Sequence, residues 1–261
     1  MITDHIFYDR RTLQACSLTC RSWYIAALPH LHHTLKIFIN HFNLSGWHAP
    51  IQRMDEFGLC PLIRKLYIYI PLKVPWMFYR PITLSPDLFN DNILFHFSAL
   101  TNIRELAIQY MDVSSFFPTV RQYFTHFLPT VRSLTLNCPS GSSRQIVFFV
   151  GLFPHLEDLK LTNVLVYPRV SEDPTLVPPS TPPLRGRLTL IHLVRPEILK
   201  DIITLFGGIR FRYMDLYYVY GMQLILDAAA ETLETLRLYP CDPHGEQVSS
   251  DEYMETPPTI P

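Results

Sequence analysis

Residues 131–137 read VRSLTLN, and residues 156–162 read LEDLKLT. Both stretches contain an apolar residue, a leucine three positions later, and a second apolar residue two positions after that leucine. The same spacing recurs along the chain, centred on Leu66, Leu106, Leu134, Leu159, Met214 and Leu236, and a degenerate copy is centred on Leu188. Successive centres are 40, 28, 25, 29, 26 and 22 residues apart, so five of the six intervals lie in a narrow range. This regularity predicts a repeated structural unit.

Amphipathic helices are predicted between most of these centres. Apolar residues recur at helical spacing in segments 120–127, 146–153, 199–206 and 222–229. A strand–turn–helix unit of roughly 20–29 residues is typical of leucine-rich repeats, and such a unit buries its apolar face only by stacking on its neighbours. We therefore expect an α/β leucine-rich-repeat solenoid over residues 61–240. Its parallel sheet would lie on the concave side and its helices on the convex side.

Three segments do not follow this pattern. Residues 36–60 contain no copy of the motif and are interpreted as a linker. Residues 166–184 read VYPRVSEDPTLVPPSTPPL, and their prolines predict an exposed loop or semi-rigid arm because proline lacks the N–H that regular structure needs. Residues 241–261 contain acidic residues but no Lys or Arg, and this composition predicts a disordered tail.

The composition argues against nucleic-acid and membrane binding. The 261 residues include 22 Lys and Arg and 23 Asp and Glu, a balance that gives no basic footprint for a phosphate backbone. The longest clean apolar run, at 146–153, is far shorter than the ~20 residues that span a bilayer. The N-terminal residues MITDHIFYDRR carry charges where a signal peptide has its apolar core. We therefore expect an intracellular protein, cytoplasmic or nuclear, with reduced cysteines.

The sequence contains no recognised motif for catalysis or cofactor binding. Glycine-rich phosphate loops, the zinc-protease motif and the serine-hydrolase elbow are all absent. Cys16 and Cys20 form either half of a metal site or part of a helical packing face, and we favour packing. The histidines that follow are too loosely spaced for tetrahedral zinc. They are His30, His32, His33, His41 and His48. We expect no enzymatic activity, no metal and no cofactor.

The segment 13–23, LQACSLTCRSW, resembles the second half of an F-box. The matching residues, in the order of that motif, are Leu13, Leu18, Cys20, Arg21 and Trp23. Thr19 replaces the usual valine, and the Leu-Pro-x-Glu-like opening of the family is missing because Met1 falls inside the first helix. Together with the repeats, the chain resembles F-box proteins with C-terminal leucine-rich repeats of the fungal type.

This resemblance implies that residues 1–35 form a partial F-box, which docks on the Skp-type adaptor of an SCF ubiquitin ligase while the repeats hold a protein substrate. It assigns adaptor binding to Leu13, Leu18, Cys20 and Trp23. We expect the truncation to weaken this binding, because a shortened helix loses its cap and part of its apolar contact area. The alternative is a leucine-rich-repeat scaffold that binds a protein partner and has no role in ubiquitin ligation.

Alternation along the strands predicts a partner-binding face. If the central leucines point inward, the flanking residues line the concave side of the sheet. Tyrosine and arginine are enriched at the hot spots of protein–protein interfaces. We therefore assign partner binding to Tyr67, Tyr69, Tyr213, Asp215, Tyr217, Arg237 and Tyr239.

Overall fold

The computed structural model of the chain describes residues 9–38, 49–69, 95–113, 125–166, 183–191, 195–205, 208–217 and 221–239. Their main feature is an eight-stranded sheet in which all neighbouring strands are parallel. The order of the strands across the sheet is the same as their order along the chain. The strands are β1 (Thr34–Phe38), β2 (Lys65–Tyr69), β3 (Glu105–Gln109), β4 (Ser133–Asn137), β6 (Asp158–Thr162), β8 (Leu184–Ile191), β9 (Ile209–Tyr217) and β10 (Thr235–Tyr239). Two short strands, β5 (Ser140–Gly141) and β7 (Leu165–Val166), pair separately. The predicted α/β class and parallel sheet are confirmed.

The central residues of the sequence motif form one row across the sheet. Cross-strand pairing aligns Leu35, Leu66, Leu106, Leu134, Leu159, Leu188, Met214 and Leu236 in that order. Every member except Leu236 is buried, and the apolar residues two positions further along each strand form a second row on the same face. The sheet therefore buries one face in the core and leaves its alternate residues on the other.

The described residues form six α-helices. They are α1 (Arg10–Ser17), α2 (Arg21–Leu31), α3 (Ala49–Glu56), α4 (Ser143–Gly151), α5 (Pro196–Leu205) and α6 (Met222–Ala229). Three of the four predicted apolar stripes lie on α4, α5 and α6, and the stripe at 120–127 falls mostly outside the described residues. Buried residues of these helices, including Phe149, Ile202 and Ile225, belong to the same apolar core as the sheet. Short 3₁₀-helices at Cys60–Leu62, Phe95–Ala99 and Leu128–Thr130 lead into β2, β3 and β4.

Three strands, β3, β4 and β6, end in the same kind of turn. The residue after each strand has a left-handed backbone, with φ of 51–59° at Tyr110, Cys138 and Asn163. The N–H of each residue donates to the carbonyl of the last residue in the next strand of the sheet, at 2.8–3.0 Å. These bonds satisfy backbone groups just beyond the strand ladder and give the chain the same direction of exit each time.

The structure corrects the prediction of a linker over residues 36–60. This interval contains most of β1 and all of α3, and Ile51 and Cys60 lie in the core. The motif was missed here because His32 occupies the position of its first apolar residue, although Leu35 and Ile37 keep the other two. The sheet therefore begins at the end of the segment 1–35 that was assigned to the F-box.

A second correction concerns Cys16 and Cys20, which were predicted to share one helical face. Cys16 lies in α1, whereas Cys20 is the N-cap residue of α2, beyond a turn that begins at Leu18. Asp9 starts α1, because its carboxylate accepts a hydrogen bond from the backbone N–H of Arg11 at 3.0 Å. The F-box-like segment is thus a pair of short helices.

Several predictions fall on residues outside the described ranges. The acidic tail at 241–261 lies entirely outside them, and so does most of the proline-rich segment 166–184. Residues 1–8, which belong to the F-box-like segment, also lie outside. None of the helices in the described part of the chain is both long enough and apolar enough to cross a membrane.

Candidate functional site

The residues predicted to bind a partner lie on the face of the sheet opposite the core. They alternate with the buried rows, and cross-strand pairing places them on β2, β9 and β10. Because β3, β4, β6 and β8 separate β2 from β9, the structure divides the predicted set into two groups at opposite ends of the sheet. We call them the β2 group and the β9–β10 group.

The β2 group contains Tyr67 and Tyr69 together with three residues that the sequence analysis did not nominate. The ring of Tyr69 makes edge-to-face contacts with Phe38 on β1 and with Tyr110 beyond β3, at centroid distances of 5.5 and 6.1 Å. The ammonium group of Lys36 lies 5.9 Å from the centroid of the Tyr67 ring. These contacts hold an aromatic surface in place before any partner binds.

The β9–β10 group is organised around two parallel rings. Tyr217 and Tyr239, paired in register on β9 and β10, stack at a centroid distance of 4.0 Å with an interplanar angle of 5°. Burial raises the pKa of the Tyr217 hydroxyl, and the neighbouring Tyr239 raises it further. Tyr217 therefore presents a neutral phenol, which donates and accepts hydrogen bonds at physiological pH.

Charged residues extend the β9–β10 group toward the start of the strands. The guanidinium of Arg187 on β8 lies 5.7 Å from the ring centroid of Tyr213, and its Nε is 3.9 Å from a carboxylate oxygen of Asp215. Arg237 lies beside Asp215 in the strand register. The group therefore combines aromatic surface with paired charges, a composition typical of protein-binding hot spots.

On this face, most side chains of the strands between the two groups are polar or charged. On β4 they belong to Ser133, Thr135 and Asn137. At the margin of this region, Lys65 and Glu105 form an ion pair at 2.7 Å, which raises the pKa of the lysine above its ordinary value. A partner that contacts both aromatic groups would therefore cross a polar middle section.

The predicted adaptor-binding residues lie on the helical pair α1–α2, and they differ from one another in burial. Leu18, Cys20 and Trp23 are exposed, and Leu18 retains 87% of its accessible surface. Leu13, by contrast, is buried, with 7% of its surface exposed. Tyr24 and Ile25, which the resemblance did not single out, extend the exposed apolar surface.

The described residues offer no evident metal centre, and the buried Cys60 offers no reactive thiol. They include no group of three or more His, Cys, Asp or Glu side chains placed to hold a metal ion. Burial, helped by the charge of Asp55, raises the pKa of the Cys60 thiol to about 11. Because the thiolate is the nucleophilic form of cysteine, this shift makes Cys60 unreactive at neutral pH.

Neither a scan against protein-family models nor a search of curated proteins finds a match for this chain. The interpretation of the two surfaces therefore depends on the geometry described above.

Proposed function

We propose that this protein is a non-catalytic adaptor that recruits a protein substrate to an SCF-type ubiquitin ligase. In this proposal the helical pair α1–α2 binds a Skp-type adaptor, and the sheet belongs to a leucine-rich-repeat solenoid whose polar face binds the substrate. The observation that carries the proposal is the combination, in one chain, of an exposed apolar patch on the helical pair and an aligned leucine row in the adjoining sheet.

The aligned row supports the solenoid interpretation. Each interval from one central residue to the next contributes one strand, and each strand pairs in parallel with the strands before and after it. A chain that advances by one strand per repeat forms an extended series of stacked units. Such a series exposes a long face on which separate groups, such as those on β2 and β9–β10, can contact one large partner.

The helical pair supports the adaptor-binding interpretation. Leu18, Trp23, Tyr24 and Ile25 are close in sequence and all are exposed, although apolar side chains of this size favour burial. Exposed apolar side chains of this size on one short segment favour a protein-interaction surface, and tryptophan is a typical anchor in such surfaces. Leu18 and Trp23 also belong to the residues that carry the resemblance to the F-box.

The proposal is tested by titrating the full chain with a purified Skp-type adaptor and measuring the dissociation constant by calorimetry. We expect affinity weaker than about 1 μM, because Leu13, one of the four residues assigned to this contact, is already buried in the folded chain. Trp23→Ala should weaken binding at least about tenfold if this side chain is a hot spot. Leu224→Ala, which removes an exposed apolar side chain from α6, is the matched control and should leave binding unchanged.

Substitution is preferable to deletion of residues 1–35, because Thr34 and Leu35 belong to β1 and their removal would disrupt its pairing with β2. Absence of measurable binding, or equal affinity of the Trp23 and Leu224 variants, would reject the adaptor role.

The burial of Leu13 favours the alternative function, a leucine-rich-repeat scaffold without a ubiquitin role. The resemblance assigns Leu13 to adaptor binding, but its side chain is already buried. A scaffold would use only the face of the sheet. Under this alternative, the adaptor titration gives no binding, while Tyr217→Ala combined with Tyr239→Ala still abolishes capture of a cellular protein partner.

A further inference from the structure

Arginines occur in a row at the edge of the sheet where the strands begin. Arg64, Arg104 and Arg132 each immediately precede a strand, and all three are exposed. Backbone hydrogen bonds join these positions directly: the N–H of Arg104 donates to the carbonyl of Arg64, and the N–H of Arg132 donates to that of Arg104, both at 2.8 Å. The row therefore follows the spacing of the strands, which is about 4.8 Å per step.

Glu157 occupies the equivalent position before β6, and arginines return on β8 and β9, where the sequence twice reads Arg-x-Arg. Arg185 and Arg210 are direct cross-strand partners, and both are exposed. Arg212 has no partner on β8, because a bulge shifts the register between Gly186 and Arg187. Like charges directly opposite each other destabilise a sheet. The Arg185–Arg210 pair therefore lowers the stability of the fold.

Only part of this positive charge is neutralised within the described residues. Arg132 forms an ion pair with Glu157, and Arg212 lies 3.6 Å from Glu234. By contrast, no acidic side chain elsewhere in the described ranges lies within ion-pair distance of Arg64, Arg104, Arg185 or Arg210. The excess of positive charge is confined to this edge of the sheet, because the chain as a whole carries a formal charge of −1.

An open cavity of about 600 Å³ interrupts this edge beside β8. Its lining includes Arg185, Arg187, Arg212 and Tyr213, together with Glu157 and Asp158. Burial raises the pKa of the Asp158 carboxyl, and the nearby Arg187 opposes that effect. The cavity thus offers several guanidinium groups beside an aromatic ring, with space for an acidic side chain.

We propose that this basic rim, formed by Arg64, Arg104, Arg132, Arg185, Arg210 and Arg212, binds an acidic segment of a protein partner. Guanidinium groups match carboxylates in bidentate geometry. An extended segment rises about 3.3 Å per residue, so about eight residues reach across the roughly 24 Å from β2 to β9, which are five strand steps apart. Acidic residues interleaved in the rim, Glu157 and Glu234, disfavour a uniform polyanion such as nucleic acid.

The rim is tested with a fluorescent peptide of about twelve residues that alternates Glu with Gly or Ser, long enough to span several strands. Binding to the full chain is measured by anisotropy. We expect saturable binding that weakens when NaCl rises from about 50 to about 300 mM. Arg185→Gln combined with Arg210→Gln should weaken binding about tenfold. The melting temperature should not fall, because both side chains are exposed, neither is ion-paired within the described residues, and the repulsion between them is removed.

The matched control combines Arg53→Gln on α3 with Lys200→Gln on α5, which changes the net charge equally at exposed positions away from the rim. It should bind the peptide as well as the unmodified chain. Equal losses in both double variants would overturn the proposal, as would binding of a Gln-substituted peptide. Preference for a phosphoserine peptide or for single-stranded DNA of the same length would also overturn it. The test does not depend on adaptor binding, since the rim and the helical pair share no residue.

Discussion

Gly186 illustrates how one residue permits the irregular pairing of β8 with β9. Its φ is +89°, and a Cβ added there would lie 2.0 Å from the carbonyl oxygen of Glu157. That oxygen accepts the N–H of Arg187 at 2.8 Å, so it cannot move without loss of a backbone bond. We predict that Gly186→Ala lowers the free energy of unfolding by about 2–4 kcal/mol, measured by chemical denaturation.

Gly58 provides the control for this substitution. Its φ is +65°, but a Cβ there would meet no atom within 4 Å. Gly58→Ala therefore tests the backbone strain alone, which costs about 1–2 kcal/mol. If the two variants lose equal stability, the close approach to Glu157 has no energetic importance.

His32 predicts a dependence of stability on pH. Burial, and to a smaller extent the charge of Arg10, lowers the pKa of this side chain below its ordinary value of 6.5. The unfolded chain therefore takes up a proton at a higher pH than the folded chain does. Stability is then unaffected above pH 6.5 and decreases as the pH falls through the interval between the two values.

His32→Gln should reduce this loss of stability on acidification. The measurement is the free energy of unfolding in urea at about pH 7.5 and about pH 5.5. The exposed His155 offers a control substitution, His155→Gln, which should retain the pH dependence of the unmodified chain. An unchanged slope in the His32 variant would show that other groups dominate the acid response.

At the scale of elements, equivalent positions on different strands differ strongly in burial. Leu134 on β4 is 0% exposed, whereas Leu236, in the same row on β10, is 38% exposed. Leu134→Ala should cost about 2–5 kcal/mol, because it leaves a cavity between packed neighbours. Leu236→Ala should cost about 1 kcal/mol, because water already reaches the side chain. Urea denaturation of both variants measures the difference, and similar losses would mean that β10 is as well packed as β4.

Leucine spacing predicts most strands of the sheet, because burial on one face imposes the motif wherever a strand joins the core. It misses β1, where His32 replaces the first apolar residue and only a partial motif remains. It also misses the bulge at Arg212, since an extra residue in one strand changes pairing without changing the apolar pattern. The turn between α1 and α2 is missed for a similar reason, because Leu13, Cys16 and Cys20 fit one continuous helical face.

The candidate site is predicted less completely than the fold. Alternation along strands assigns Tyr217 and Tyr239 to the exposed face, but their stacking depends on the register between β9 and β10. The basic rim is invisible to the motif, since its arginines are distant in sequence and become neighbours only through backbone pairing. The contact between Phe38 and Tyr69 is also missed, because Phe38 belongs to β1 and lies in the segment that the sequence analysis interpreted as a linker.

At the scale of the whole molecule, the core face of the sheet is buried from β1 to β9 and becomes exposed at β10. Strands β3, β4 and β6 have buried rows on their core face and a paired strand on both sides. In β10, by contrast, all five residues are exposed, and Leu238 retains 54% of its surface. Among the described residues, β10 pairs only with β9. The sheet therefore contains regions that should open independently of global unfolding.

Native-state hydrogen exchange followed by mass spectrometry should reveal this difference between strands. We predict that amides of β3, β4 and β6 exchange only through global unfolding, because opening them breaks two strand interfaces and exposes the central leucines. Amides of β10 should exchange at least about 100-fold faster, which corresponds to about 2.7 kcal/mol less protection. Low concentrations of urea should accelerate exchange in the central strands more steeply than in β10, since global unfolding exposes more surface than local opening does. Equal protection of β10 and β4 would show that the sheet opens as a single cooperative unit.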